Sequence, residues 1–499
     1  MTHATGPKFE ANGYDFSAYV DCRNWIGGAW VPAASGATLE VLNPRHDKAM
    51  GTVAMSARAD LARAVEIAKA AFPAWRAKPM RERAQVMFRL KAIMEDNVEE
   101  LSWLLSHENG KVFGDAKASV LKAIECIETG SAMPHTAAGG QLDVSRGVNC
   151  RVTHEPLGVC AGIAPFNFPM MVPMWMIPQV LVGGNCFIFK PSEKVPYGAM
   201  RIAHMLKAAG LPDGVFQIVN GGRDIVEAIV EHPVIKAIGF VGSTKVARIV
   251  YAGGAAQGKR VLALGGAKNH LLLVGDADFE LATENIAASA FGTTGQRCMA
   301  ASVLLAVGDV QRYVDKIAEH AAAMKLGEDL GPAIDKAACD RMRRYVDEAE
   351  QLGAKVLVDG RDATGPGGGH WFGPTVLDLV TLDMPAGREE IFGPVLSIMR
   401  CDTIDDAIAI ENANPYGNAA AVFTSSGRLA RYCVDHLEAG MVGVNIGVPV
   451  PREPFSFGGW NESKFGHGDI TGFDGVRFWT RPRKVTTKWS KQVDQTWMG

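Results

Sequence analysis

The sequence predicts an α/β protein with two sheet-and-helix domains of similar size and a small separate β element, and three observations carry that prediction. Between residues 158 and 264, short β-rich runs ("GVCAGIAPF", "NCFIFKPS", "VFQIVNG", "IKAIGFVGS", "RVLAL") alternate with helical stretches such as "YGAMRIAHMLKAAG" and "DIVEAIVEH". That alternation is the pattern of a parallel sheet with crossover helices, whose ligands sit beyond the carboxyl ends of the strands. It resumes after residue 270 with "HLLLVGD", "SVLLAVG", "AKVLVDG", "VLSIMR", "AAAVFTS" and "MVGVNIG", interleaved with helices such as "VQRYVDKIAEHAAAM", which predicts the second domain. Third, "QLDVSRGVNCRVTHEP" (141–156) and "VRFWTRPRKVTTKWS" (476–490) show the mixed polar and β-branched alternation of exposed strands. Long uncovered strands invite edge pairing, so these two are read as a contact between subunits.

Ahead of the first alternation the pattern is helical from residue 60. Asp60 is placed as the cap of "DLARAVEIAKAAF", and "RERAQVMFRLKAIMEDNVEELSWLL" aligns Val86, Leu90, Ile93, Met94, Val98, Leu101 and Leu105 on one face. Composition bounds the function classes. The 499 residues are 47% hydrophobic and 21% charged, ordinary for globular domains. A formal charge of -3, from 51 basic and 54 acidic residues, leaves no basic excess for nucleic acid. The opening "MTHATGPKFEANGYDF" lacks the order of a signal peptide and is read as a loose extension. The most apolar stretch, 170–184, is broken by Pro173, Pro178 and Gln179 and is too short to span a bilayer. Nine cysteines without a C-x-x-C pair argue against a disulfide framework and a metal site, and point to a cytoplasmic protein.

One cysteine stands apart. In "GTTGQRCMAAS" (292–302), Cys298 follows a Gly/Thr turn cluster and has Arg297 at its shoulder, whereas a packing cysteine sits inside an apolar strand or helix. Adjacent positive charge favours the thiolate, so Arg297 is read as an activator.

The motifs "GIAPFNFPMMVPMW" (162–175), "FKPSE" (189–193), "GFVGSTKVA" (239–247), "GQRCMA" (295–300), "EEIFGPV" (389–395) and "PFSFGGW" (454–460), in this order and spacing, resemble the aldehyde dehydrogenase superfamily over nearly the whole chain. "GQRCMA" with "GAKNH" (266–270) is similar to its CoA-acylating methylmalonate- and malonate-semialdehyde dehydrogenase branch. The resemblance implies a Rossmann-type NAD-binding domain (1–137 and 156–263), a catalytic domain (264–465), and oligomerisation strands and tail (138–155 and 466–499) in a homotetramer or homodimer. It implies Cys298 as nucleophile, with the Asn167 amide and the Cys298 N–H as oxyanion donors. An aldehyde releases hydride only after something has added to its carbonyl, and a thiolate is the best side chain for that addition.

For NAD the resemblance implies the run Ile163, Ala164, Pro165, Phe166, then Lys190 and Glu193 at the adenosine ribose, Gly242 and Ser243 at the pyrophosphate turn, Leu264, Glu390 at the nicotinamide ribose, and Phe392. An acid at Glu193 repels a 2′-phosphate, which favours NAD over NADP. Ala247 departs from the family by standing where a second glycine is common. For the aldehyde it implies Arg297, Phe168, Trp175 and Phe457, with Lys122 where the branch carries a second arginine. Singly, each has a plainer reading. Asn167 suits a turn beside Pro169, Lys122 a solvated helix face, and the aromatics a core.

Hydrolytic members carry a glutamate 34 residues before the cysteine, and here that position is Leu264. Leucine cannot activate water, whereas a coenzyme A thiol, partly ionised near neutral pH, exchanges with a thioester unaided. The sequence therefore points to NAD-dependent oxidation of a short aldehyde or semialdehyde with CoA as cosubstrate. A hydrolytic dehydrogenase using a base from another segment, or a silent scaffold of the same fold, stays open.

Overall fold

The computed structural model describes residues 13–14 and 19–489. The rest of the opening segment and Ser490 onward, parts of the expected extension and tail, lie outside the described residues.

The first alternation forms the five parallel strands at the centre of an eight-stranded sheet. Their spatial order is Phe216–Ile218, Cys186–Lys190, Val159–Ile163, Ile235–Val241, Arg260–Leu264. The order reverses between Val159–Ile163 and Ile235–Val241, which opens a crevice at their carboxyl ends. Each edge is finished by antiparallel pieces, Asn24–Ile26 with Ala29–Val31 on one side and Lys464–Phe465 on the other. The second sheet has seven strands and carries Ala301–Val307, Asn269–Leu273 and Ala419–Phe423 side by side, all parallel.

The helical reading of residues 60–105 needs two corrections. Asp60 is not the cap but the third residue of helix Arg58–Ala77, where its carboxylate accepts the Ala57 N–H at 3.0 Å and the Ala34 N–H at 2.9 Å. The next run is two helices, Met80–Glu95 and Val98–Asn109. The break comes at Asn97, whose buried amide donates back to the Ile93 carbonyl at 2.7 Å and satisfies a helix-end acceptor. The apolar face survives the break: Val86, Leu90, Ile93, Met94, Leu101 and Leu105 are all buried, with Val98 at the margin.

The two segments read as exposed strands pair with each other. Thr480–Lys488 lies against Val148–Pro156, which pairs with the exposed Gly140–Ser145. The final strand begins later than expected, because Gly472–Trp479 is helical and buries Val476, Phe478 and Trp479 in the first core. Trp479 meets Phe187 edge to face at 6.0 Å, and a Cβ on Gly239 would stand 3.0 Å from the indole. Among the described residues no helix is long and apolar enough to cross a membrane, and all nine cysteines are unpaired.

Candidate active site

The crevice of the first sheet receives two loops. The Val159–Ile163 strand runs into Ala164, Pro165, Phe166 and Asn167, and Ile235–Val241 runs into Gly242 and Ser243. Ser243 caps helix Thr244–Ala256 without a side-chain hydrogen bond, and the first turn holds no acid, so its N–H groups and dipole face outward uncompensated. The Gly242 N–H is held by the Leu264 carbonyl at 3.1 Å. Ala247, the departure from the family pattern, is fully buried one turn on, with its N–H on Ser243 O at 2.9 Å. At the end of the Cys186–Lys190 strand, the buried Lys190 Nζ donates to Pro191 O at 2.9 Å and Glu193 Oε2 at 3.1 Å. Burial lowers the Lys190 ammonium, with Glu193 opposing; burial raises Glu193, but Lys190, the Glu193 N–H and Lys194 together outweigh it, leaving the carboxylate below its ordinary range. An open helix N-terminus for a pyrophosphate and a carboxylate for a ribose diol fit a dinucleotide.

The Cys298 loop arrives from the second sheet, at its amino end. Helix Phe279–Phe291 gives way to three left-handed residues, Thr293, Thr294 and Gly295 (φ 55°, 57° and 63°), and Cys298 follows before strand Ala301–Val307. At Gly295 a Cβ would lie 2.0 Å from the Gly393 carbonyl, so glycine is required. Two threonines at positive φ are costly unless the surroundings hold them. Asp115 Oδ2 accepts the Thr293 N–H at 2.8 Å, and Thr294 Oγ1 donates to Gly331 O at 2.8 Å. Across the crevice the buried Asn167 Nδ2 donates to Gln296 O at 3.0 Å, which joins the first sheet's loop to the cysteine's.

Cys298 is half-buried in a cavity lined by Lys268, Arg297, Ser302, Glu390 and Phe392, among others. Burial and then Glu390 push its thiol up to about 12, against the Cys298 and Met299 N–H groups and Arg297. Arg297 acts in the expected direction, favouring the thiolate, but does not decide the balance. Its guanidinium turns away to donate to Ala288 O at 2.6 Å and Ser289 O at 3.3 Å. Glu390 accepts the Ala267 N–H at 3.0 Å, and burial pushes its carboxyl up to about 7. Phe392 is left-handed (φ 57°) and meets Phe166 edge to face at 5.8 Å. Leu264 is buried at the end of its strand.

Other expected residues lie apart. Lys122 is paired with Glu125 at 2.7 Å, which also takes Arg452 at 3.2 Å, so its charge is already matched. Trp175 and Phe457 meet at 4.4 Å, their rings tilted by 31°, in the first core and outside the Cys298 cavity lining. Phe168 carries the Lys111 ammonium 3.6 Å above its ring. Sequence reasoning missed Lys111 and Asp115. Lys111 is buried beside Ser119 Oγ at 3.3 Å, and burial lowers it to about 7, with Asp115 and Cys298 opposing and Arg297 reinforcing. Nothing in the local sequence marks either residue, because the contacts that bring them to the site, Phe168 for Lys111 and Thr293 for Asp115, are remote in the chain.

Comparison with known proteins identifies the family. Residues 30–485 match the family model described as the aldehyde dehydrogenase family. The chain is 44% identical over 476 residues to malonate-semialdehyde dehydrogenase 2 of Geobacillus kaustophilus (strain HTA426), covering 94% of this chain and 98% of that one. A crystal structure of methylmalonate-semialdehyde dehydrogenase from Oceanimonas doudoroffii superimposes with a TM-score of 0.93 at 40% identity, covering 95% of this chain and 99% of that one. A protein of Sinorhizobium meliloti 1021, assigned to the same activity and crystallised with NAD, gives 0.93 at 39% identity, covering 96% and 99%.

Proposed function

The chain belongs to the aldehyde dehydrogenase family, and from that membership we propose that it is an NAD-dependent, CoA-acylating dehydrogenase of a short semialdehyde of the malonate or methylmalonate type. When bound, NAD supplies the hydride acceptor. Gly242, Ser243 and the helix they open hold its pyrophosphate, Lys190 and Glu193 the adenosine ribose, and Glu390 and Phe392 the nicotinamide end. The Cys298 thiolate adds to the aldehyde carbonyl, and the alkoxide accepts from the Cys298 N–H and the Asn167 amide, whose second hydrogen is not spent on Gln296. Loss of hydride leaves a thioester on Cys298. A CoA thiolate then attacks the thioester carbon, and the Cys298 thiolate departs, returning the enzyme.

The observation that carries the acylating part is the pairing of a cavity-lining Cys298 with an apolar Leu264 on the neighbouring sheet, where a hydrolytic enzyme needs a base. NADH formation measured with and without CoA tests it: turnover rises with CoA, and full turnover without CoA would overturn it.

A second reading rests on Glu390. Its carboxyl, near neutrality and lining the same cavity, has the position of a base for water, which would make the enzyme hydrolytic. Under that reading Glu390→Gln removes the CoA-independent rate, by about 10²- to 10⁴-fold.

The remaining assignments follow the same reading. The dinucleotide-binding domain takes the described residues up to 137 and residues 156–263, and the catalytic domain 264–465. The strand pair 140–156 with 480–488, bearing Leu142 and Val144 at 68% and 50% exposure, suits contact with further copies in a dimer or tetramer. Light scattering that returned a monomer mass would remove that assignment. Unpaired cysteines suit the reducing cytoplasm.

A further inference from the structure

The Cys298 carbonyl oxygen accepts two side-chain amides. Asn269 Nδ2 reaches it at 2.8 Å and also the Ala300 carbonyl at 2.8 Å, while its Oδ1 takes the Ala419 N–H at 3.2 Å. Asn418 Nδ2 reaches the same Cys298 oxygen at 2.8 Å. Both asparagines are buried, at 3% and 6% exposure. The sheet register brings them together: Asn269 opens one strand, Asn418 immediately precedes its parallel neighbour, and His270 pairs with Ala420.

Two donors on one carbonyl fix a peptide plane. In a trans peptide the C=O and N–H point in opposite directions, so clamping Cys298 O aims the Met299 N–H the other way. That N–H, together with that of Cys298 itself, is on the sulfur and favours its ionised form. Donation to the carbonyl also polarises the peptide and strengthens its N–H as a donor, an effect that matters most where water is excluded.

We propose that Asn269 and Asn418 are positioning residues that set the nucleophilicity of Cys298 by clamping the Cys298–Met299 peptide. The role rests on Cys298 being the nucleophile and gives a function to the asparagine of "GAKNH", which neither cofactor nor substrate binding uses. In a site where burial and Glu390 oppose the thiolate and Arg297 faces away, this peptide is the local compensating dipole.

The test follows iodoacetamide alkylation of Cys298 against pH, by mass spectrometry, in the full-length cofactor-free protein, alongside kcat and KM for NAD. Removing one amide donor by Asn418→Leu weakens the clamp and disfavours the thiolate. The alkylation curve then moves to higher pH by about one unit, so the rate at fixed pH below the midpoint falls about tenfold. The kcat falls with it while KM for NAD holds. Asn269→Ser moves the curve in the same direction. If Asn418→Leu does not fold, Asn418→Ala gives the same readout. A folded Asn418 variant whose alkylation curve superimposes on wild type overturns the proposal. The underlying reading fails separately: wild-type protein stoichiometrically alkylated at Cys298 would still reduce NAD.

Discussion

The two turns that meet at the crevice are built on opposite plans. At Gly242 the chain leaves a strand and enters a helix through ordinary backbone, held by one neighbouring carbonyl, so a short local motif suffices. At Cys298 the chain passes through three left-handed residues and is held by groups far away in sequence: Asp115 before the loop, Asn167 across the crevice, Asn269 and Asn418 behind it. The difference suits the tasks proposed for the two turns. A pyrophosphate is bound by whatever N–H groups a helix start exposes, whereas a nucleophile has to keep one sulfur and its oxyanion donors in register, and strain held from several sides does that.

Substitutions in each turn sharpen the contrast. Gly295→Ala has the largest expected effect, because a Cβ there meets the Gly393 carbonyl at 2.0 Å on a left-handed backbone. It costs about 3 kcal/mol or more of stability and abolishes NADH formation, as thermal denaturation and assay would show. Next, Asn167→Ala leaves the fold intact and lowers kcat by about 10²- to 10³-fold, the loss of one oxyanion donor. Asp115→Ala releases Thr293 and lowers kcat about tenfold, while Asp115→Asn, which keeps an oxygen for the Thr293 N–H, loses less. The smallest effect belongs to the other turn. In Gly242→Ala the atoms nearest the new methyl belong to the tip of the Phe240 ring, at 2.6 Å, and a side chain yields where a carbonyl does not. KM for NAD rises about three- to tenfold with kcat retained. Equal losses at Gly242 and Gly295 would erase the distinction.

The same contrast explains what was legible in the sequence. The five-strand alternation, Gly242, Cys298 and the apolar Leu264 are local patterns or fixed spacings, and they could be read directly. The direction of Arg297 could not, because its partners are the carbonyls of the preceding helix's end rather than the sulfur beside it. Nor could the helix break at Asn97, where one side-chain amide interrupts an otherwise continuous apolar face. Asp115, Lys111 and Asn418 were hidden because each is an ordinary polar residue locally and acquires its place only through tertiary contacts: Asp115 with Thr293 across the crevice, Lys111 with Phe168 beside the first sheet, and Asn418 with Cys298 through the register of the second sheet.

The central claim is that Cys298 is acylated in a site that cannot ready water to release it. A single-turnover experiment tests this most directly: the enzyme is loaded with NAD and a short semialdehyde, and the Cys298 thioester is followed by quenching and mass spectrometry with and without CoA. A thioester that persists in buffer and disappears within a turnover once CoA is added is the predicted result. Decay as fast in buffer alone as with CoA would contradict it.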